Sequence, residues 1–313
     1  MLSVAIGTFD GLHIAHKMLI DIADTVLIIA NPNKGAPLNS ATVNTFLLGD
    51  KPVIRLNFDE IKNLMPAEFF NKYLIKYDRI IVGYNFKFGK NASGGVGDLR
   101  RLCNDNGKVL EVVDRVTYKP PEPLTTNDVS EKAKEIEVSS TNIRELITCG
   151  NLELANAMLG YDYMISGVVI HGNQIGRTIG FPTANITPAP IMPPFGVYKS
   201  KVYVNHICYD GVTNYGPKPT IEKTLDDELL KNGNLNGSSI GKNTEHKNAQ
   251  IRLNNVVETH ILDFDRDIYD QEIVISFNKK IRNIKKFNSI YSLKNQIKLD
   301  VDKNFCKKME ISY

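Results

Sequence analysis

The hydrophobic pattern changes character about midway along the chain. In the first half, short unbroken apolar runs alternate with stretches of helical periodicity. Leu2–Ile6 (LSVAI) reads as a buried strand, followed by a glycine-bearing turn and an amphipathic helix to about Ala23. Asp24–Ala30 (DTVLIIA) reads as a second strand. A helical pattern over Pro66–Lys76, a strand at Arg79–Val82, a helix near Gly97–Cys103 and a strand at Lys108–Val113 continue the alternation. Strands alternating with helices predict a parallel sheet covered on both faces. Leu152–Leu159 closes a helical pair, and Gly160 follows where a helix would stop.

From Tyr163 onward the pattern is all strands: MISGVVIHG, Gly196–Val204, Ile207–Gly216, Val256–Phe264 and Glu272–Phe277. Short connections, with Asn205-His206 as a tight hairpin, predict a small antiparallel barrel. A final helix carries Ile290, Leu293, Ile297 and Val301 on one stripe and should pack on that barrel. The expected domains are therefore 1–160 and 161–313. Residues 222–255 are rich in Asn, Lys and Gly and hold no Phe, Tyr or Trp, so a mobile insertion is expected there.

Composition refines this only slightly. A length of 313 residues suits two domains, and 42% apolar with 23% charged residues is ordinary for a globular protein. Lys+Arg 38 against Asp+Glu 35 leaves +3, too little to argue for nucleic acid or an anionic membrane. Cys103, Cys149, Cys208 and Cys306 are scattered with no CxxC, which points to a reducing compartment. No run of 18 apolar residues occurs, and the chain enters a strand at Leu2 without room for a secretion signal. The expectation is a cytoplasmic protein.

Chemistry concentrates in Ile175–Asn185, IGRTIGFPTAN. Gly176 and Gly180 permit close backbone approach to phosphate, and Arg177 supplies a fixed cation. Pro182 stiffens the turn presenting Thr183 and Asn185, whose oxygens are hard neutral donors suited to Mg2+. A Gly/Pro turn leading into a strand is the plainer alternative. His13 and His16 sit three apart at the start of a helix, where main-chain N–H groups attract phosphate. An isolated HxxH equally suits a metal or a bare surface, and Ser140-Thr141 before a helical pattern equally suits a cap.

The complete string GRTIGFPTAN resembles the riboflavin kinase motif G-R-x-x-G-F-P-T-A-N at every fixed position. GTFDGLHIAH (Gly7–His16) resembles the G-x-F-D-G-x-H-x-G-H motif of FAD synthetases of the prokaryotic bifunctional type. VGYNFKFGK (Val82–Lys90) and VSSTNIREL (Val138–Leu146) resemble two further motifs of that family, in family order. VETHILDF (Val257–Phe264) resembles the kinase's catalytic strand, and DFDRDIYDQE its D-F-x-x-D-x-Y-G.

The resemblance implies a Rossmann-like α/β nucleotidyltransferase domain followed by an antiparallel β-barrel riboflavin kinase domain with a C-terminal helix. It implies phosphorylation of riboflavin to FMN and adenylylation of FMN to FAD, with ATP and Mg2+. Glu258 would be the general base and Thr183 and Asn185 the Mg2+ ligands. His13, His16 and Arg144 would stabilise the adenylyl-transfer transition state. Gly7, Phe9, Asp10, Gly11, Asn85, Ser140, Thr141, Gly176, Arg177, Gly180, Pro182, Asn214 and Arg282 would contact nucleotide or flavin.

Departures are Ala15 for the glycine between the histidines, a shortened Asn31–Arg55 segment, Asp270 for glycine and Ile284 for Glu. A kinase with a degenerate first domain, and a non-catalytic flavin-sensing module, are the two alternatives.

Overall fold

The computed structural model describes residues 1–30, 35–121, 135–172, 175–217 and 255–305. The expected 222–255 insertion therefore lies outside the described residues, except for Asn255. The chain divides into two compact units, 1–166 with 190–193, and 167–189 with 194–313.

Unit 1 begins with β1 (Ser3–Gly7), α1 (Ile14–Asp21), β2 (Thr25–Ala30), α2 (Ala41–Leu48), β3 (Val53–Asn57) and α3 (Phe58–Ile61). Next come α4 (Pro66–Phe69), running on as a π-helical turn Phe70–Leu74, then β4 (Arg79–Gly83), α5 (Val96–Asp105) and β5 (Val109–Val113). The short pair β6 (Thr117–Tyr118) and β7 (Ile136–Glu137) precedes α6 (Ser140–Cys149) and α7 (Leu152–Leu159). Strands β1 to β5 form a parallel sheet of order β3-β2-β1-β4-β5.

Residue alternation in the strands explains the two layers. Val4, Ile6, Ile80 and Val82 face one core with Phe69, Phe70, Leu74 and Leu99. Ala5, Val26, Ile28 and Ile81 face the other, with Leu19, Ile20 and Phe9. The sequence patterning read β1, β2, β4 and β5 within a residue or two, but passed over α2 and β3. α2 falls within the Asn31–Arg55 segment and β3 begins in it, and the mixed pattern there hides their period.

Unit 2 takes up the chain within β8 (Tyr163–Val168), then α8 (Ile175–Thr178), β9 (Thr183–Ile186), β10 (Gly196–Val204), β11 (Ile207–Pro217), β12 (Asn255–Ile261), β13 (Glu272–Arg282) and α9 (Ile290–Phe305). The six-stranded sheet has order β8-β13-β10-β11-β12-β9. Its two ends meet: Val169 N–H donates to Gln271 O at 2.9 Å while Ile170 N–H donates to Asn185 O at 2.8 Å, closing a barrel. Asn205 (φ 49) and His206 (φ 65) form the expected hairpin with two left-handed residues. Asp270 has φ 59, so an Asp stands where a glycine conformation is needed, at low steric cost.

Strand β12 ends at Ile261, short of Phe264, because Asp263 turns left-handed (φ 55). On α9 the expected stripe is corrected at its start: Ile290 is 59% exposed. The helix is held instead through Asp300, 4% exposed, whose carboxylate accepts from Arg282 Nε (2.9 Å) and Nη2 (2.8 Å).

On one face of the barrel sheet a row of buried hydroxyls crosses three strands. Ser200 Oγ lies 2.7 Å from Thr213 Oγ1, which lies 2.9 Å from Thr259 Oγ1, and Ser200 donates to Gly211 O at 2.8 Å. A hydroxyl has one proton, so Ser200 must accept from Thr213 and Thr213 from Thr259. Replacing Thr213 by Val, nearly isosteric, would leave the Thr259 proton and a Ser200 lone pair unmatched away from water. We expect a stability loss of about 1–3 kcal/mol, read as a lower midpoint in urea unfolding; an unchanged midpoint would contradict the row's role.

Candidate active sites

In unit 1 the order of strands reverses between β1 and β4, the place where open α/β sheets leave a crevice at their carboxyl ends. The loop after β1 (8–13) and the loop after β4 (84–88) therefore emerge side by side. Asn85 is exposed at the second of these.

The first loop is tightly coiled, with Phe9 (φ 46), Gly11 (φ 85) and Leu12 (φ 43) left-handed. Phe9 is buried in the core rather than lining the crevice, and a side chain at Gly7 would meet its ring at 3.3 Å. Phe9 thus shapes the loop from beneath. A side chain at Gly11 would meet Leu38 Cδ1 at 2.7 Å.

His13 caps α1: its Nδ1 accepts the His16 N–H at 3.4 Å. The ring proton of the neutral form is consequently on Nε2. The two imidazoles stack 3.6 Å apart at 16°. Burial holds His13 down to about 4, so at neutral pH it is an uncharged N–H donor.

Across 134 residues of sequence, Arg144 Nη2 reaches Asp10 Oδ2 at 2.9 Å and also donates to Ala36 O at 3.1 Å. The other oxygen of Asp10 accepts Leu38 N–H at 2.7 Å, and Ser140 Oγ donates to Asp10 O at 2.7 Å. The SST segment behaves differently from the expected cap. Ser139 is the N-cap, accepting from Asn142 N–H at 3.3 Å, while Ser140 points into the loop and Thr141 is exposed. Register along the helix start decides this, because only the residue just before the first helical one has the extended conformation a cap needs.

In unit 2, β12 pairs with β9 on one side and β11 on the other. Glu258 lies directly between Asn185 and Asn214. Directly opposed residues of antiparallel strands share a face, so the three side chains form one row. Burial raises the Glu258 carboxyl above its usual range, partly offset by a hydrogen bond from Asn214.

Two residues on, His260 is opposite Thr183, and its Nδ1 lies 2.9 Å from Pro182 O. A carbonyl only accepts, so Nδ1 carries the proton and pins the turn. In that turn Phe181 N–H donates to Gly176 O at 2.8 Å, and a side chain at Gly176 would lie 2.3 Å from Phe181 O. Gly180 has φ 84. Glycine is thus required at both positions, for different reasons.

A cavity of about 500 Å³ opens beside this turn, with Arg177, Pro182, Thr183, His260 and Tyr269 among its lining. Asn185 and Glu258 are not in that lining; they adjoin it along the sheet. Arg282 stands apart from the expected contact set, because its guanidinium is committed to Asp300 and Asn283 O. Partners such as Asp300 carried no sequence signal, since only the fold brings them together.

The riboflavin kinase family model matches residues 159–305, and the FAD synthetase model residues 47–123. A bifunctional riboflavin kinase/FMN adenylyltransferase of Bacillus subtilis (strain 168) is 30% identical over 95% of this chain and 89% of its own. The chain belongs to the bifunctional riboflavin kinase/FMN adenylyltransferase family. The same description applies to a Listeria monocytogenes relative (30% identical, 95% and 89% covered) and one from Escherichia coli K12 (28%, 95% and 90%). A solved structure described as a macrolide-efflux protein from Streptococcus pneumoniae is 25% identical, with TM-score 0.69 over 97% of this chain and 94% of that one. No helix among the described residues is long and apolar enough to cross a membrane. Membership in the family makes the chain a transferase bearing both a kinase and a synthetase region. His13, His16 and Arg144 lie outside the span matched by the synthetase model.

The His13 environment has a consequence for acid stability. Its folded-state pKa, about 4, lies below the usual 6.5. Above 6.5 neither state is protonated. As pH falls below 6.5 the unfolded chain gains a proton that the folded chain refuses until about 4, so stability drops across that window, by about 3 kcal/mol. His13→Asn, which keeps a capping side chain, should lose less stability between pH 7 and 4 in denaturant titrations; an identical loss would contradict the assignment.

Proposed function

We propose that unit 2 phosphorylates riboflavin to FMN and unit 1 adenylylates FMN to FAD, each drawing on ATP. The domains then correspond to about 1–160 and 161–313. The observation that carries the kinase half is the Asn185–Glu258–Asn214 row beside the cavity at Thr183.

The hydroxyl to be phosphorylated is a poor nucleophile at neutral pH. Glu258 accepts its proton as oxygen bonds to the terminal phosphorus of ATP and ADP leaves. Burial makes Glu258 a stronger base than a free carboxylate, and the Asn214 hydrogen bond holds its orientation. Arg177 and the glycine turn receive the phosphates.

The donor set fits Mg2+. Thr183 and Asn185 offer neutral hard oxygens, and Asn185, 6% exposed, is packed so closely that a side chain at Gly172 would lie 2.5 Å from its amide. Among the described residues no group of three or more His, Cys, Asp or Glu could hold a metal alone. The ion would come with the nucleotide, neutralising its phosphates.

In unit 1, the FMN phosphate attacks the innermost phosphorus of ATP and pyrophosphate departs. His13 Nε2–H and His16 face the oxygens that gain charge. Arg144 exchanges Asp10 for the pyrophosphate. Asn85, Gly7, Gly11, Ser140 and Thr141 border the same crevice. The chain works in the cytoplasm as a monomer or weak oligomer, on small molecules rather than nucleic acid or membrane. A charge of only +3 and the free thiols of Cys103, Cys149 and Cys208 support that reading.

One chromatographic product trace from riboflavin with excess ATP and Mg2+ tests the assignment: FMN should appear first and FAD after it. FMN alone would instead favour a kinase with an inactive first unit. Glu258→Gln should lower FMN formation at least a hundredfold while FMN-to-FAD conversion continues. Loss of both in a folded variant would contradict separate sites.

A further inference from the structure

The loop that delivers His13 holds three left-handed residues, two of them bulky and buried: Phe9 (φ 46) and Leu12 (φ 43). Such conformations persist only where their surroundings hold them. The loop's own hydrogen bond, Leu12 N–H to Phe9 O, is long at 3.4 Å and contributes little.

Leu38 N–H and Arg144 hold the Asp10 side chain, and two hydroxyls from distant sequence hold the loop's carbonyls. Ser140 Oγ donates to Asp10 O at 2.7 Å, and Tyr161 Oη donates to Gly11 O at 2.5 Å. The Tyr161 oxygen also accepts from Asn39 Nδ2 at 2.9 Å, and of the two acceptors in reach of its single proton Gly11 O is far nearer than Asn39 Oδ1 at 3.3 Å. Asn39 is buried and Nδ2 is shared with Asn44 Oδ1 at 3.2 Å. Gly160 makes the approach possible: it is left-handed (φ 78), and a side chain there would lie 2.8 Å from Ile14 Cγ2 on α1. Desolvation raises the Tyr161 pKa, which keeps the phenol protonated and able to donate.

We propose that Tyr161 is a positioning residue for adenylyl transfer, clamping the Gly11 carbonyl so that the strained loop presents His13 at the start of α1. The inference rests on the assignment of adenylylation to unit 1. Tyr161 touches no reacting atom in this scheme; it acts two residues upstream of the histidine. The clamp comes from a residue that follows the last helix of the unit and lies outside every motif.

Tyr161→Phe removes only the hydroxyl. In the full-length chain, kcat for FAD formation from FMN and ATP should fall about tenfold, with both KM values within twofold of wild type. Riboflavin phosphorylation in the same preparation should be unchanged. Because a loosened loop admits water to His13, its imidazole titration, followed by NMR, should move up from about 4 toward the usual 6.5. Asn39→Ala, which removes the second anchor of the phenol, should shift both readouts in the same direction by less. A wild-type rate of FAD formation in Tyr161→Phe, or an unmoved His13 titration, would overturn the proposal. So would parallel loss of both activities with a lowered melting temperature. Absence of FAD from the wild-type chain would overturn the underlying assignment instead, and the clamp's catalytic role with it.

Discussion

Strand register is the constraint on which the second unit depends. A strand presents alternate residues to opposite faces, so a one-residue slip of β12 would bring Thr259 to the face of Asn185 and send Glu258 to the packed side. The Ser200–Thr213–Thr259 row opposes such a slip. Its hydroxyls sit on the face opposite Glu258, and their one-way chain of donors fits only the observed alignment of β10, β11 and β12. Polar groups on the closed face thereby specify which polar groups reach the open one.

The first unit solves the analogous problem with topology. Reversal of strand order at β1 and β4 sets two loops side by side without any contact between them in sequence. Chain far downstream then completes the crevice, through Arg144 and Ser140 on α6. Asp10 is the junction, since its side chain and carbonyl together meet Leu38, Arg144 and Ser140.

Much of this was legible in the residues. Unbroken apolar runs gave the sheet strands, and β10 fell on its expected bounds. GRTIGFPTAN disclosed the turn whose Gly176 and Gly180 prove necessary, and Asp270, noted as a departure from the motif's glycine, is left-handed. Pairings between remote residues left no such trace. Nothing in Asp10, Arg282 or Tyr161 announces a partner 134, 18 or 150 residues away. The choice of Ser139 over Ser140 as cap turned on a single residue of helix register, finer than periodicity resolves. α2 and β3 were missed because short elements in a mixed-polarity segment have no repeat to read.

The ion pair under α9 bears on how that helix can sit. Its outward residues include Ile290, Tyr291 and Leu299, so little grease holds it down. The Asp300 carboxylate receives Arg282 Nε and Nη2 together, a fork whose two prongs must be met at once. Sliding the helix by one turn, about 5.4 Å, would strand both charges in a nearly dry seam. The helix is therefore indexed like a key on a single tooth: it can be seated or withdrawn, but not seated in the wrong place.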